Sequence, residues 1–235
     1  ILKKNARGHG VDRYDRQLQM EEWDGKSQAK LAAAHVTVVG AGGLGSPVLY
    51  YLAAAGVGHI HLIDNDKVHL TNLNRQILYT EQDIGKLKAA AAAERLIGFN
   101  TTIEVSYSSL ELHAGNVAEL IPETGIIVDC LDNFKTRFIL NGYAVERELP
   151  LIHAGIHGFS GQITTIIPHT TPCLECLFPG LQDPADETGR NLRKPALGAA
   201  VGLVGSMQAL EAVKLITGKG RLYTGKLVVF DGIQG

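Results

Sequence analysis

A glycine-rich turn directly after a short β-branched run constrains this chain more than any other feature of its sequence. The run covers residues 36–40, and the turn extends from Gly40 to Gly45. Gly40 permits a tight exit from a strand, and Gly45 permits close packing of the next helix. Gly42 and Gly43 leave the backbone open to a phosphate at the helix start. Asp64, about twenty residues later, is placed to bind a ribose. The pattern predicts a nucleotide-binding unit, although an ordinary strand–helix turn has similar glycines.

Strands and helices alternate up to residue 155, which predicts a doubly wound, Rossmann-like α/β fold with a mostly parallel sheet. The predicted strands are residues 36–40, 59–63, 102–107, 125–130 and 151–154. Among the helices, one begins with Ser46 as its cap and Pro47 as its first residue, and others cover residues 85–97, 117–121 and 133–148. Residues 65–84 form a long loop, which in a compact domain is usually functional.

The second part of the chain has a different pattern. Residues 161–168 are rich in Thr and Ile, which favours an antiparallel strand, and a helix over 197–217 and a closing strand over 222–230 follow. Residues 12–34 predict two N-terminal helices separated at Gly25. We therefore expect one domain over residues 1–235, composed of N-terminal helices (12–34), a nucleotide-binding core (36–155) and a mainly antiparallel extension (156–235).

Composition argues against several classes of protein. The 22 basic and 24 acidic residues give a net charge of −2, so no basic field indicates binding to DNA or an anionic membrane. Three cysteines are too few for a disulfide scaffold, and no charged-then-apolar leader begins the sequence, so we expect a cytoplasmic protein. The uncharged stretch 196–210 is shorter than the ~18–20 apolar residues of a membrane span, which favours a buried helix.

Two basic residues distinguish a site that acts on ATP from a site for hydride transfer. Arg75 lies in the box Asn72 to Gln76, and Lys88 ends a short basic run at residues 86–88. Transfer of a phosphoryl or nucleotidyl group needs positive charge where negative charge builds on phosphate oxygens. Arg can bind phosphate through two hydrogen bonds and Lys acts as a point charge. Lys88 alone would be interpreted as a solvated lysine, but the combination predicts ATP.

Acidic residues supply a candidate metal site. Asp132 follows the fourth predicted strand, at the edge where doubly wound sheets bind ligands. One or two carboxylates together with substrate phosphates are how proteins usually hold Mg²⁺. Asn133 can cap the following helix, which leaves Asp132 for the metal. Asp66, beside Asp64, is either a second nucleotide-binding acid or a solvated turn residue.

Cys173 and Cys176 form half of a Cys₄ zinc site by their spacing. The other cysteine, Cys130, belongs to a different strand, so the sequence alone does not establish a zinc site. His153, His157 and His169 match no common zinc spacing, and we interpret them as packed or surface histidines.

These motifs, taken in order, resemble those of the ubiquitin-activating-enzyme-like superfamily, and most of all the ThiF/MoeB/HesA adenylyltransferases. The resemblance covers nearly the whole chain, and it is far more specific than a lone glycine turn. The segments that carry it are residues 13–17, 40–45, 64–66, 72–76, 85–88, 129–133, 161–162, 172–176 and 205–212.

The resemblance implies that ATP and Mg²⁺ are used to adenylate the C-terminal glycine carboxylate of a ubiquitin-like sulfur-carrier protein, of the ThiS or MoaD type. It further implies a homodimer in which Arg16 reaches the partner's nucleotide site, with residues 156–235 binding the carrier. Catalytic roles are implied for Arg16, Arg75, Lys88 and Asp132. Nucleotide binding is implied for Gly40, Gly42, Gly43, Gly45, Asp64, Asp66, Asn72, Arg75, Gln76, Lys88, Asp132 and Asn133.

The sequence departs from the family pattern in two places. Relatives usually have a second Cys-x-x-Cys near the C-terminus, and none occurs before Gly235, so either the chain is truncated or zinc is absent. Relatives that form a covalent sulfur link have a cysteine near the position of Asn191, but this sequence has none between 177 and 235. We therefore expect adenylation without a thioester or acyl-disulfide step in this loop.

Three alternatives remain. The same fold could adenylate a peptide or a tRNA-bound carboxylate. An NAD-dependent oxidoreductase is disfavoured because no acid–base pair with a separate substrate domain is visible. A non-catalytic subunit is disfavoured because Arg16, Arg75, Lys88 and Asp132 are all present. The sequence does not choose among thiamine, molybdopterin and tRNA-thiolation pathways.

Overall fold

A single mixed sheet organises the structure, a computed structural model that describes residues 13–181 and 195–235. Strands β1 to β5 run parallel to one another, whereas β6 and β7 are antiparallel to their neighbours. The strands are β1 His35–Val39, β2 His59–Ile63, β3 Glu104–Ser108, β4 Ile126–Asp129, β5 Leu151–His157, β6 Ser160–Ile166 and β7 Val228–Asp231. Their order across the sheet is β3-β2-β1-β4-β5-β6-β7, which confirms the predicted fold class.

The helices of the described residues cover both faces of the sheet. They are α1 Asp15–Leu18, α2 Gly25–Ala33, α3 Gly45–Ala55, α4 Lys88–Phe99, α5 Val117–Leu120, α6 Phe134–Glu146, α7 Leu174–Leu177 and α8 Gly198–Thr217. The loop predicted over 65–84 contains two single turns of 3₁₀ helix, Leu70–Asn72 and Glu81–Asp83. The position of Asn191 lies outside the described residues.

Buried strand residues point alternately into two apolar cores. Val38 and Leu62 belong to a core shared with helices α2, α3, α4 and α8. Val39 and Ile63 belong to a second core beneath α5, α6 and α7. Because both faces of these parallel strands are covered, the strands read as continuous apolar runs in the sequence.

Helix α8 runs close beneath the glycine turn because small residues line the contact. A Cβ added at Gly205 would lie 2.5 Å from the Cγ of Pro47, and one added at Gly43 would lie 2.8 Å from the Cγ1 of Val201. This packed face confirms the predicted buried helix, although Leu203 and Leu210 on the other face are exposed. Helix α8 is also long and apolar enough to cross a membrane. The core helices of proteins that do not span a membrane can meet the same criterion, and 44% of the most apolar 18-residue segment of α8 is buried.

The predicted start of α3 is wrong by two residues. The helix begins at Gly45 with Leu44 as the N-cap, and Ser46 instead donates its hydroxyl hydrogen to the Gly42 carbonyl oxygen at 2.7 Å. The glycine turn winds directly into the helix, so no side chain needs to cap it. Pro47 lies within the first turn, where its missing N–H has no intrahelical acceptor to lose. In α6, by contrast, the predicted cap is confirmed, since Asn133 Oδ1 accepts a hydrogen bond from Thr136 N at 2.8 Å.

We expect Gly45→Ala to lower the free energy of unfolding by at least about 1–3 kcal/mol, as overpacked sites do. The added Cβ would lie 2.0 Å from the Gly40 carbonyl oxygen, so the turn has to open. Gly142→Ala in α6 is the control, because its Cβ would have nothing within 4 Å and helix propensity should add up to about 1 kcal/mol. Urea unfolding measures both variants, and equal stability of Gly45→Ala and wild type would contradict the close contact.

Candidate active site

Three segments that the sequence singled out lie at one edge of the sheet, where β1, β2 and β4 end. The glycine turn follows β1, Asp64 follows β2, and Asp132 comes shortly after β4. Strands β2 and β4 flank β1 on opposite sides, so the strand order reverses at this point. Doubly wound sheets bind their ligands in the crevice outside such a reversal.

Asp64 holds the glycine turn through its carboxylate. Its Oδ2 accepts a hydrogen bond from Ala41 N at 2.8 Å, and its Oδ1 accepts one from Asp66 N at 2.9 Å. Burial raises the pKa of Asp64, and the charge of Lys88 and these two hydrogen bonds oppose that rise. Carboxylate oxygens have further lone pairs, so the side chain can brace the turn and still accept hydrogen bonds from a ribose.

Lys88 is a buried cation beside the turn. Its Nζ lies 3.0 Å from Asp66 Oδ2, and only 5% of its side chain is exposed. Its backbone N–H also donates to the Asp66 carbonyl oxygen at 2.8 Å. An unpaired buried ammonium is costly, so Asp66 stabilises the lysine in the absence of another anion. The geometry disagrees with the solvated interpretation of Lys88, whereas the Asp66 side chain is exposed as well as paired.

Tyr79, which sequence reasoning missed, connects the turn to Lys88. Its buried hydroxyl donates to the carbonyl oxygens of Ala41 at 2.8 Å and Lys88 at 3.3 Å. Burial, and then the charges of nearby aspartates, raise the pKa of Tyr79 far above its ordinary value, so the hydroxyl remains a donor. Tyr79 is the one Phe, Trp or Tyr residue in the loop over 65–84, and this was the signal that could have indicated its role.

Arg75 lies against the glycine turn. A Cβ added at Gly43 would be 3.7 Å from Arg75 Cγ, so the stem of the side chain passes the glycine directly. Its Nη1 donates to the carbonyl oxygen of Thr71 and to Asn74 Oδ1, both at 3.0 Å. The guanidinium is therefore anchored locally, and within residues 13–181 and 195–235 its other N–H groups have no hydrogen-bond partner.

The remaining residues of the Asn72–Gln76 box differ in what they contact. Gln76 is 4% exposed, and its Nε2 would lie 3.5 Å from a Cβ added at Gly42. Its Oε1 is buried and has no hydrogen-bond partner within residues 13–181 and 195–235. The Asn72 side chain serves a local purpose, since its Oδ1 accepts a hydrogen bond from His69 N at 3.0 Å.

Asn133 and Asp132 lie side by side after β4, and only the predicted cap at Asn133 is tested by the structure. Asn133 caps α6 through its Oδ1, while the exposed Asp132 lies at the sheet edge, with its Oδ1 3.5 Å from Asn133 Nδ2. An oxygen donor at this edge has the hardness that Mg²⁺ prefers. The part of the chain that the structure describes holds no cluster of three or more His, Cys, Asp or Glu side chains that could bind a metal.

Beneath this edge lies a charged cluster that the sequence analysis did not identify. Asp129, Arg137 and His153 are 0%, 4% and 0% exposed. The Oδ2 of Asp129 lies 2.6 Å from His153 Nδ1 and 3.4 Å from Arg137 Nε. The histidine is packed, as predicted, but it is packed against a carboxylate. Asp129 at the end of β4 and His153 within β5, each next to apolar residues, were the signal that pointed to this contact.

Comparison with known proteins agrees with this geometry. A model of the ThiF family matches residues 14–235. The chain belongs to the ThiF family. The family resemblance inferred from the motifs is thereby confirmed.

Curated relatives of this ThiF-family chain include three with related names. "Adenylyltransferase and sulfurtransferase MOCS3" of Culex quinquefasciatus is 42% identical over 225 residues, which cover 95% of this chain and 51% of that protein. "SAMP-activating enzyme E1" of Haloferax volcanii is 38% identical, with 95% and 82% covered. "Sulfur carrier protein adenylyltransferase" of Thermus thermophilus is 37% identical, with 95% and 84% covered. The chain thus spans about half the length of the MOCS3 proteins it matches.

Solved structures with the same fold include MccB of E. coli. Its complex with ATP has a TM-score of 0.81 and 28% identity, covering 94% of this chain and 68% of that one. Its complex with N-formylated MccA has a TM-score of 0.84 and 27% identity, with 93% and 69% covered.

Arg16 of this ThiF-family chain lies away from the sheet edge that carries the glycine turn. The neighbouring Gln17 Nε2 donates to the Ala55 carbonyl oxygen at 3.2 Å, so α1 packs at the carboxyl end of α3. The glycine turn lies at the amino end of this 11-residue helix, which is about 16 Å long. Arg16 is exposed there, and the structure does not bring it to the site of the same chain.

Cys173 and Cys176 have the geometry of half a zinc site. Their Sγ atoms are 3.8 Å apart, about the separation of two thiolates on a tetrahedral zinc with bonds near 2.3 Å. Burial alone raises the pKa of Cys173, but hydrogen bonds from the backbone at Cys176 and from Asn141 lower it below its ordinary value. Cys130 is buried and donates to Gln208 Oε1 at 3.7 Å, so it does not complete the pair.

Asp83 fixes the loop that carries the cations to α4. Its carboxylate accepts hydrogen bonds from Thr80 N at 2.9 Å, Lys86 Nζ at 3.0 Å and Arg95 Nη2 at 2.7 Å. Burial alone raises the pKa of Asp83, but these hydrogen bonds and charges lower it to about 2.

We expect Asp83→Asn to lower the free energy of unfolding by about 1–2 kcal/mol at pH 7. Because the folded pKa of about 2 lies below the ordinary 3.8, this stabilisation is present above pH 4 or so and disappears as the pH falls toward 2. Urea unfolding of wild type and Asp83→Asn at pH 7 and roughly pH 3 measures the difference. A stability gap that stays constant between these two pH values would contradict the assignment.

Proposed function

We propose that this chain uses ATP to adenylate the C-terminal glycine carboxylate of a ubiquitin-like sulfur-carrier protein, releasing pyrophosphate. The observation that carries the proposal is the buried Lys88 ammonium, held by Asp66 beside a glycine turn that Asp64 braces. A hydride-transfer site does not need such a cation. Relatives named for sulfur-carrier adenylation and SAMP activation, matched over most of their length, support the same activity.

The chemistry explains why cations dominate the site. A free carboxylate is a poor electrophile, and its attack on the α-phosphorus of ATP forms a mixed anhydride whose leaving group is AMP. The reacting groups are both anions, so the protein mainly has to align them and offset their repulsion. Lys88 would exchange Asp66 for a phosphate oxygen, and the remaining N–H groups of Arg75 would bind a second one.

Asp132 fits as a magnesium ligand. Its carboxylate lies at the sheet edge beside the Asn133 amide, and Mg²⁺ typically uses one or two carboxylates together with substrate phosphates and water. When bound, the ion would neutralise charge on the phosphates. The Cys173–Cys176 pair would supply two of the four ligands of a structural zinc ion. Two further ligands would have to come from other residues.

The position of Arg16 supports a shared site. Since α1 lies at the far end of α3 from the glycine turn, Arg16 could serve a nucleotide only in a second copy of the chain. We therefore propose a homodimer in which each subunit donates this arginine to its partner's site. We also propose that residues 156–235 bind the carrier and that the enzyme acts in the cytoplasm.

A second candidate substrate is a short peptide. It is favoured by the likeness to MccB, whose solved complex with N-formylated MccA has a TM-score of 0.84. The reaction type would be unchanged, because a carboxylate would again attack the α-phosphorus. Carrier and peptide are distinguished by supplying each one to the same assay.

The deciding measurement is exchange of labelled pyrophosphate into ATP in the presence of each candidate carrier protein. We expect exchange with a carrier that ends in glycine and none with the same carrier lacking that residue, because the carboxylate would no longer reach the phosphorus. Exchange with the MccA-type peptide but with no carrier would favour the second substrate. Exchange with neither would contradict adenylation.

We expect Asp132→Ala to lower pyrophosphate exchange by at least about 100-fold while leaving the unfolding midpoint unchanged. The loss follows because the exposed carboxylate contributes charge to the nucleotide site rather than packing. Glu119→Ala, which removes an exposed carboxylate from α5, is the matched control and should retain activity. Normal exchange by Asp132→Ala would remove this residue from the mechanism.

Mixed dimers test the role of Arg16. Arg16→Ala and Asp132→Ala should each be inactive, but a 1:1 mixture that exchanges subunits should recover about a quarter of wild-type activity, since half the dimers regain one intact site. The control mixture pairs Asp132→Ala with Lys88→Ala, which should not recover because both residues belong to one subunit's site. Equal recovery in both mixtures, or in neither, would count against the shared site.

A further inference from the structure

Asp129 and Arg137 together hold both backbone polar groups of Leu131, the residue before Asp132. Asp129 Oδ1 accepts a hydrogen bond from Leu131 N at 3.0 Å. Arg137 Nη2 donates to the Leu131 carbonyl oxygen, and the same nitrogen donates to the Ala154 carbonyl oxygen at 2.8 Å. The loop after β4 is thus tied to β5 and to α6, immediately before the carboxylate that we assign to the metal.

The ion pair behind these contacts is itself fixed by its surroundings. His153 Nδ1 lies 2.6 Å from Asp129 Oδ2, opposite the hydrogen bond to Leu131. Gln208 Nε2 of α8 donates to the Asp129 carbonyl oxygen at 2.8 Å and to that of Ile152 at 3.2 Å. The carboxylate and the strand end therefore have little freedom to rotate or shift.

The charge state of the cluster suits a rigid support. Burial raises the pKa of Asp129, but Arg137 and the His153 hydrogen bond outweigh it and keep the pKa below its ordinary value. Burial also lowers the pKa of His153, which favours a neutral ring donating through Nδ1. One carboxylate thus balances one guanidinium, and the cluster of Asp129, Arg137 and His153 carries no net charge.

A buried charged cluster contributes little net free energy to the stability of a loop. Removing two charges from water costs several kcal/mol per ion, and apolar replacements are often as stable. Capping of α6 does not need the cluster either, because Asn133 performs it. Fixed geometry at the nucleotide edge is what the charged groups add, since hydrogen bonds to ions are short and directional.

We propose that Asp129 and Arg137 are positioning residues, which clamp the Leu131 backbone so that the Asp132 carboxylate is presented to the metal–nucleotide complex. This inference rests on the proposed function and goes beyond it, because neither residue faces the ligand. Groups that orient metal ligands in this way typically account for 10–100-fold in metal affinity. A purely structural cluster would affect stability alone.

The test measures metal binding separately from catalysis. Binding of Mn²⁺ to the full chain is followed by electron paramagnetic resonance in the presence of a non-hydrolysable ATP analogue. Arg137→Lys keeps the positive charge but removes the forked contacts, and Asp129→Asn keeps an acceptor for Leu131 N but removes the ion pair. For both variants we expect roughly tenfold weaker Mn²⁺ binding and a similar rise in the Mg²⁺ concentration for half-maximal exchange.

The matched control is Glu211→Gln in α8. Glu211 is likewise 0% exposed, and its Oε2 accepts hydrogen bonds from Thr165 Oγ1 at 2.6 Å and Tyr223 N at 2.8 Å. It should lower the thermal midpoint as the other variants do but leave Mn²⁺ binding unchanged. Binding of AMP without metal should stay within about twofold in all three variants, because within the described residues Asp64 makes its hydrogen bonds to Ala41 and Asp66 and none to Asp129, Arg137 or His153.

The outcomes separate the two proposals. If Arg137→Lys and Asp129→Asn lose stability but bind Mn²⁺ as tightly as wild type, the cluster is structural and the inference fails while the proposed function stands. If wild type itself neither binds Mn²⁺ with the analogue nor exchanges pyrophosphate, the proposed function fails and the inference falls with it. Weakened Mn²⁺ binding in both variants, with Glu211→Gln unaffected, supports the clamp.

Discussion

The two hydrogen bonds accepted by the Asp64 carboxylate tie the glycine turn to the loop that carries the cations. One oxygen accepts from Ala41 in the turn, and the other accepts from Asp66, whose own carboxylate pairs with Lys88. The glycine turn, the Asp64 carboxylate and the buried Lys88 ammonium therefore belong to one hydrogen-bonded frame. The Tyr79 hydroxyl also joins the turn to Lys88, because it donates to the carbonyl oxygens of Ala41 and Lys88.

Helix α8 gives that frame its support. Its glycines allow backbone contact, so that a Cβ added at Gly198 would lie 2.5 Å from the Asn74 carbonyl oxygen and one at Gly205 would lie 2.7 Å from that of Leu44. The same helix places Gln208 against the end of β4 and the start of β5. Because protein interiors are close-packed, a shift of α8 would displace both the glycine turn and the loop that carries Asp132.

Much of the fold could be predicted because buried parallel strands and their glycine turns leave strong local signals. The strand over 59–63, the cap at Asn133 and the change to antiparallel strands after β5 all follow the predictions. The cap at Ser46 was wrong because the glycine turn itself begins the helix, a geometry set by the approach of Gly45 to Gly40. The last strand is shorter than predicted, since β7 begins only at Val228.

The sequence by itself determined the fold class and the family, because both depend on motifs whose spacing is visible along the chain. It also singled out the glycine turn, Asp64 and Asp132, which the structure places at one edge of the sheet. Only the tertiary structure decided that Lys88 is buried against Asp66 and that Arg16 lies far from its own site. It also joined Asp129 to Arg137 and His153. These contacts join distant segments, and burial and charge pairing between such segments arise only when the sheet brings them together.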